Sequence, residues 1–190
     1  MIKTTLAAGA FALLTVFSTS LPTYAAGANP VGGPVPAPVA AALPAAVPAA
    51  LSPTESASLQ NMREEEKLAH DVYVTLYAKW GLRAFNNISR AEQRHTDAIV
   101  TLLNRYGVSD PAAGNAVGVF SNPDLQALYD KLVAQGSIST AEALKVGVLV
   151  EQTDIADLKT HIAETTKADI LQVYNNLLAG SQNHLRAFSR

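Results

Sequence analysis

The chain has 190 residues, a formal net charge of −2 at pH 7, and 14 Lys and Arg residues scattered along it. It lacks the basic stripe or patch that nucleic-acid binding requires. It contains no cysteine, which excludes disulfides and a rubredoxin-type iron centre, so its stability must come from core burial or from a bound metal ion.

The first 25 residues have the organisation of a secretory leader. Lys3 provides a positively charged start, residues 6–17 are apolar but too short to span a bilayer, and residues 23–25 resemble a small-residue cleavage site. We therefore expect cleavage before Ala26 and export of a mature protein without a membrane span to the periplasm or the extracellular space. The alternative is an N-terminal membrane anchor.

Residues 26–51 predict a linker. They are dominated by Ala, Pro, Gly and Val, carry no charge, and include six prolines that would break a regular helix. Such a composition is typical of an extended, partly polyproline segment. This segment either holds the following domain away from a surface or is a disordered spacer. Residues 52–190 then have the length of one ordinary domain that can bury a core.

Four long helices and one short helix are predicted within residues 52–190. Their expected ranges are 53–80, 83–106, 123–134, 139–164 and 167–188. Ser52 and Ser139 each precede a Glu by three residues, as in a capping box, and Gly81 and Gly107 are expected to end the first two helices. We expect Thr165 or Thr166 to cap the last one. No segment has the alternation of a strand, so the fold is predicted to be all-α.

The short helix follows a loop, residues 108–122, that is rich in Asp, Pro, Gly and Asn. The residues expected to face inward from this helix are Leu125, Leu128, Tyr129 and Leu132. A long connection of this kind predicts that the short helix crosses between two helical pairs of a four-helix bundle.

Residues that can ligate metals occur on the apolar face of each long helix. They are Glu66 on the first helix, Glu92 and His95 on the second, Glu151 and Asp154 on the third, and His184 on the fourth. The three-residue spacing within each pair places both side chains on one helical face. Burying a carboxylate is costly unless it is paired or bound to a cation. Four carboxylates neutralise two divalent ions, and an oxygen-rich set with two imidazoles suits Fe or Mn.

Each of these residues alone has an ordinary explanation, and only the joint pattern is specific. Glu66 ends an acidic run that could form a solvated face, and an isolated His184 is typical of an exposed or satisfied histidine. We expect His70 to face solvent. His161 lies seven residues beyond Asp154, and it either approaches the same face or, as we expect, is exposed near a helix end. Tyr73 is either a core tyrosine with its hydroxyl satisfied, a hydrogen-bond partner of a metal ligand, or a radical relay.

Three stretches carry a resemblance to a known family: MREEEKLAHDVY from residue 62, AEQRH from residue 91 and GSQNHLRAF from residue 180. With them, residues 54–190 resemble the uncharacterised bacterial ferritin-like domains named DUF2202. The first three long helices also resemble those of rubrerythrin-type proteins. The resemblance implies a ferritin-like four-helix bundle with a di-iron site, and it implies no settled activity.

The fourth helix departs from the rubrerythrin pattern at Ser181, where relatives carry the Glu of a Glu-x-x-His motif. Either Asp154 restores the missing carboxylate or the second metal position is weak or empty. We predict that Glu92 and either Glu151 or Asp154 bridge two ions. Glu66 and His95 would complete the shell of one ion, and His184 that of the other.

Two functions fit this sequence. The first is an exported metal-binding protein with a carboxylate-bridged pair of Fe ions, or Mn, that acts in oxidation of ferrous iron or in reduction of peroxide or oxygen. Because the chain has no cysteine, such a reaction would need an external electron donor. The alternative is a non-catalytic exported helical-bundle interaction domain with one metal ion or none.

Overall fold

The computed structural model describes residues 49–190, which form five α-helices. The helices are α1 (Pro53–Trp80), α2 (Arg83–Tyr106), α3 (Pro123–Gly136), α4 (Thr140–Ala163) and α5 (Ala168–Phe188). No strand occurs between residues 49 and 190, so the predicted all-α class is confirmed. The predicted leader, 1–25, and residues 26–48 of the predicted linker lie outside the described residues. No described helix is long and apolar enough to cross a membrane.

The ends of α1 and α2 follow from their local sequence. The Ser52 hydroxyl accepts the Glu55 N–H at 3.1 Å, and the Glu55 carboxylate accepts the Ser52 N–H at 2.8 Å. This is the predicted capping box, which satisfies N–H groups that lack helical partners. Gly81 and Gly107 end the two helices with φ of 65° and 67°, a left-handed conformation that favours glycine.

The start of α5 and one face of α3 differ from the prediction. Lys167 is the N-cap of α5, so the expected cap by Thr165 or Thr166 is wrong. The Thr165 hydroxyl donates to Glu55 of α1 at 2.7 Å and accepts the Lys167 N–H at 3.2 Å. Leu128 was expected to face inward but is 38% exposed. Helix α3 contacts only one side of the bundle, so its outer residues remain in solvent.

The capping box predicted at the start of α4 is present only in half. The Ser139 hydroxyl accepts the Glu142 N–H at 3.1 Å. The Glu142 carboxylate, however, accepts hydrogen bonds from Gln135 at 3.1 Å and from Lys145 at 2.6 Å. These two partners compete with the backbone N–H for the same carboxylate, so one of the two reciprocal bonds does not form.

The four long helices form a bundle of two antiparallel pairs. Residues 81–82 alone connect α1 to α2, and residues 164–167 connect α4 to α5, and such short connections make consecutive helices antiparallel neighbours. Helix α1 also contacts α4, and α2 contacts α5, which closes the bundle. Helix α3 packs against α1 and α4. It crosses from one pair to the other, as the length of the connection before it predicts.

The buried core is divided into two apolar clusters along the bundle. The first apolar cluster includes Leu68, Val72, Tyr73, Leu76, Phe85, Ile88, Leu132, Ala143, Val146, Val150 and Phe188. The second apolar cluster consists of Leu59, Met62, Ile99, Leu102, Leu103, Leu158, Ile170, Tyr174 and Leu177. In every long helix, the predicted ligands lie in sequence between members of these two clusters. The polar residues therefore form one layer across the middle of the bundle.

Candidate metal centre

Five of the six predicted ligands converge in this polar layer. They form two groups, one of Glu66, Glu92 and His95 and the other of Glu92, Glu151 and His184, and within each group the potential ligand atoms lie within 4.8 Å of one another. The three glutamates are buried and the two histidines are partly buried. Residues from four helices thus meet as the helical spacing predicted, and Glu92 belongs to both groups.

The two groups have the same arrangement on opposite sides of Glu92. Its Oε2 lies 2.8 Å from Nδ1 of His95, and its Oε1 lies 2.8 Å from Nδ1 of His184. A second carboxylate approaches each imidazole: Glu66 Oε2 is 3.2 Å from His95 Nδ1, and Glu151 Oε1 is 3.6 Å from His184 Nδ1. Each group therefore offers one imidazole nitrogen, one terminal carboxylate and one oxygen of a shared carboxylate.

Hydrogen bonds do not satisfy all of these buried atoms. Glu92 Oε1 and His184 Nδ1 are close but not aligned for a hydrogen bond, and both lack any partner, as does Glu66 Oε1. A buried polar group left without a partner costs about 1–3 kcal/mol. A cation between such atoms would remove that cost, and carboxylate oxygens with imidazole nitrogens are suitable ligands for Fe, Mn or Zn. The residues present therefore fit a metal ion.

Acidic side chains outnumber basic ones in the polar layer. Burial, together with repulsion from the other carboxylates, raises the pKa of Glu66 well above its usual value. Burial also raises the pKa of Glu151 to about 7 and that of Asp154 to about 6. Among residues 49–190, no Lys or Arg forms a salt bridge with these groups or with Glu92. Without a cation, the layer must hold protons to offset its charge.

Glu92 is the carboxylate that stays ionised most readily. Burial alone would raise its pKa, but contacts with His184 and His95 lower the pKa to about 2. The effect on His184 is reciprocal. Burial alone would lower its pKa, whereas contacts with Glu151 and Glu92 raise it to about 9. In the metal-free protein, a protonated His184 therefore takes part of the role that a metal cation would have beside Glu92.

Asp154 lies beside this arrangement but in neither group, so its predicted role as a ligand stays a prediction. Its Oδ1 is buried and has no hydrogen-bond partner. Ser181 is nearby and moderates the rise in the pKa of Asp154, while its own buried hydroxyl donates to the Leu177 carbonyl at 3.0 Å. The position of a fourth-helix carboxylate is thus occupied by a serine that is bonded to its own helix.

Tyr73 connects the polar layer to the first apolar cluster. Its ring is buried, with its centroid 5.8 Å from that of Phe85 and 5.1 Å from that of Phe188. Its hydroxyl donates to Glu151 Oε1 at 2.7 Å. Of the alternatives considered for this residue, the structure shows a core tyrosine whose hydroxyl is satisfied by a predicted ligand. This bond fixes the orientation of the Glu151 carboxylate.

The other two histidines lie away from the polar layer. His70 was expected to face solvent, but it is partly buried and its Nδ1 lies 2.8 Å from Asp71 Oδ1. His161 is likewise partly buried, and its Nδ1 lies 3.0 Å from Glu164 Oε2. Both residues are therefore less exposed than expected. Each imidazole lies beside a carboxylate, and the centroid of the His161 ring is also 6.2 Å from that of Tyr174 in α5.

Gly180 is a residue of the site that sequence reasoning missed. A Cβ atom at this position of α5 would lie 2.6 Å from Nε2 of His95 and 2.7 Å from its Cε1. Only glycine leaves room for the His95 ring against α5. The available signal was a glycine inside a helix, which costs about 1 kcal/mol relative to alanine and usually has a packing reason.

Comparisons with known proteins place the chain in a family. Residues 55–190 match the uncharacterized protein domain DUF2202, so the chain belongs to this family. The uncharacterized protein MJ0754 of Methanocaldococcus jannaschii is 52% identical over 140 residues, which cover 74% of this chain and 76% of that protein. The crystal structure of hypothetical protein MJ0754 from Methanococcus jannaschii matches with a TM-score of 0.73 at 50% identity, covering 77% of this chain and 82% of that one.

Proposed function

We propose that this protein binds two metal ions, iron or manganese, in the polar layer of a ferritin-like four-helix bundle. Glu92 bridges the two ions. Glu66 and His95 complete the ligand set of one ion, while Glu151 and His184 complete that of the other. Asp154 is the remaining candidate ligand. Its carboxylate would bring the layer to four negative charges, which match two divalent cations.

The observation that carries this proposal is the position of Glu92. Its two oxygens approach two different imidazoles, each at 2.8 Å, and each imidazole has a second carboxylate beside it. Each half of this arrangement therefore has the ligands for one ion. Two metal ions use both, because a carboxylate that offers one oxygen to each ion is the common bridge of di-metal bundles.

The apolar clusters on both sides of the layer would exclude water from the metal pair and so strengthen its electrostatic interactions. When bound, an iron pair supplies redox chemistry, and we propose oxidation of ferrous iron or reduction of peroxide or oxygen. Tyr73 holds the Glu151 carboxylate in orientation. The chain has no cysteine, so electrons would come from an external donor. We further propose that the protein acts after export.

Metal analysis of the protein, purified without chelator or metal-affinity resin, tests this function. We expect iron or manganese, approaching two ions per chain, in the wild type. Glu92→Ala should lose most of the metal because both groups share this residue. Asp97→Ala is the matched control, since Asp97 is an exposed acid on the same helix, and it should retain the metal. Unchanged metal content in Glu92→Ala would contradict the bridging role.

Ser181 favours a second candidate, a non-catalytic exported interaction domain with one ion or none. The residue is buried and supplies no carboxylate to the Glu151 and His184 group, so this half has fewer oxygen ligands if Asp154 does not coordinate. The metal-to-protein ratio separates the two candidates. A ratio near two supports the di-metal site, and a ratio of one or less supports the interaction domain.

A further inference from the structure

A pocket lies beside the polar layer, between α1, α3 and α4. Its volume is about 180 Å³, and its lining residues are Glu65, Leu68, Leu128, Leu132, Leu149, Val150, Thr153 and Asp154. Leu128 and Leu149 are 38% and 46% exposed, so these two residues mark the side of the pocket that faces solvent. The short helix α3 forms its outer wall through Leu128 and Leu132. Leu128, which was expected to face inward, instead lines the solvent-facing side of this pocket.

Most of the pocket wall is apolar. Four leucines and one valine make up most of the lining, and their side chains offer no hydrogen bonds to an occupant. An apolar cavity of about 150 Å³ in another protein stays free of water and binds benzene or xenon. The pocket here differs in being open to solvent on one side, but its leucine wall likewise offers no hydrogen bonds to water or peroxide and so favours an apolar molecule.

The polar lining residues connect this pocket to the candidate metal centre. Glu65 is the neighbour of Glu66 in α1, and Asp154 lies one helical turn beyond Glu151 in α4. Asp154 is also close enough to Glu92 and to both imidazoles of the layer for their charges to change its pKa. Glu65 Oε2 and Asp154 Oδ1 are both buried without a hydrogen-bond partner. The polar part of the pocket is therefore the part nearest the layer.

We propose that this pocket binds a small, mainly apolar organic molecule directly beside the candidate metal centre. Such an organic molecule would be a substrate in addition to the peroxide, oxygen or ferrous iron of the proposed function. The pocket's role as a substrate site rests on the proposed function. Its binding of an apolar molecule does not depend on metal in the polar layer. The two can therefore fail separately.

Benzene is a suitable probe, with binding to the full chain followed by NMR of the leucine and valine methyl groups. We expect wild type to bind benzene with shifts at Leu128, Leu132 and Leu149. Leu128→Trp should weaken binding roughly tenfold or more, because the indole would occupy space at the pocket. Ile138→Trp is the matched control, since Ile138 is 72% exposed and does not line the pocket, and it should bind like wild type. Absence of binding to wild type, or equal binding to Leu128→Trp, would overturn the proposal.

A second measurement tests whether the bound molecule lies beside the metal. Protein loaded with paramagnetic Mn²⁺ should relax the benzene protons several-fold faster than metal-free protein, and Glu92→Ala should abolish the effect. Benzene that binds Mn²⁺-loaded wild type without faster relaxation would overturn the placement next to the centre. If the wild type takes up no metal at all, the proposed function fails, and the benzene titration alone still decides whether the pocket is an apolar binding site.

Discussion

Helix α1 carries two buried charged regions that have opposite electrostatic character. On one side, Glu66 faces the polar layer, where acids outnumber bases. On another, Lys67 and Asp71 form a salt bridge, and Lys67 also donates to the Ala116 carbonyl at 2.9 Å. We name this second region the loop clamp, because it holds the connection of residues 108–122 against α1. Glu66 and Lys67 are adjacent in sequence and both are buried. Burial alone therefore does not explain why the two regions differ.

The difference lies in whether each acid has a partner from the protein itself. Asp71 Oδ2 accepts the Gly118 N–H at 2.9 Å, and Oδ1 lies 2.8 Å from His70 Nδ1. Burial alone would raise the pKa of Asp71, but hydrogen bonds with His70, Lys67 and Gly118 lower it. The pKa of Glu66, by contrast, is raised. The loop clamp is complete as a structural element, whereas the acids of the polar layer lack such partners and need protons or an added cation to offset their charge.

The largest expected effect comes from breaking the loop clamp. Asp71→Asn would leave Lys67 buried beside a neutral group, and removal of one partner of a buried pair typically costs about 3–5 kcal/mol. Urea unfolding in the presence of chelator should show this loss. Glu66→Gln is the comparison variant in the polar layer, and under the same conditions it should cost little or stabilise, because it removes a repelled carboxylate. Equal destabilisation by both variants would contradict the distinction between the two regions.

Metal removal should affect stability in a pH-dependent way. In the metal-free protein, Glu151 with a pKa near 7 and Asp154 with a pKa near 6 hold protons that the unfolded chain has already released. The folded state then binds more protons, so the free energy of unfolding should fall as pH rises from about 4 to 7. His184, with a pKa near 9, extends the fall from about pH 6.5 to 9. Glu92 acts oppositely, but only below about pH 4.5, because its pKa is lowered.

Thermal melting at pH 5 and pH 8, with and without chelator, measures this dependence. We expect the metal-free protein to melt roughly 10 °C lower at pH 8 than at pH 5. With iron or manganese bound, the ions replace these protons, so stabilisation by metal should be greater at pH 8 than at pH 5. If chelator changes the melting temperature at neither pH, the acids of the layer hold protons rather than metal.

Ser181→Glu compares the two halves of the layer. Helical spacing places residue 181 on the face of His184, so the added carboxylate should raise metal occupancy in the group of Glu151 and His184. If Asp154 already fills that coordination position, the larger side chain would instead crowd the core, at a cost of roughly 1–3 kcal/mol. Metal stoichiometry and melting temperature of this variant separate these outcomes. No change in either would mean that residue 181 does not face the site, although Ser181 is buried.

The sequence predicted those features that depend on local chemistry and helical periodicity. Ser52, Gly81 and Gly107 set helix ends through their own backbone and side chains. Glu92 and His95 share a face because they are three residues apart, and the same periodicity brought Glu66, Glu151 and His184 to the same layer. Each of these predictions required only that the helices form and bury their apolar faces.

What the sequence did not predict depends on contacts between distant segments. The loop clamp joins α1 to residues more than 40 positions later, and the course of that connection has no periodic signal. The Thr165 hydroxyl donates to Glu55 of another helix, and the N-cap of α5 is Lys167. Asp154 and Glu151 share a helical face, yet only Glu151 belongs to the group with His184. The orientation of each side chain in this layer depends on contacts with the neighbouring helices, which the sequence of α4 alone does not specify.

The smallest effect on stability, and the most selective effect on metal, is expected from Gly180→Ala. Alanine favours a helix over glycine by about 1 kcal/mol, but its Cβ would lie 2.6 Å from His95 Nε2. The ring must shift, and it would lose its present contacts with Glu66 and Glu92. The nearest His184 atom is 3.9 Å away, an ordinary contact, so the other half should be unaffected. We therefore expect unfolding free energy to change by no more than about 1 kcal/mol while the metal-to-protein ratio falls from two toward one. Loss of both ions together would show that the halves are not independent, and retention of both would show that His95 can move without losing its metal.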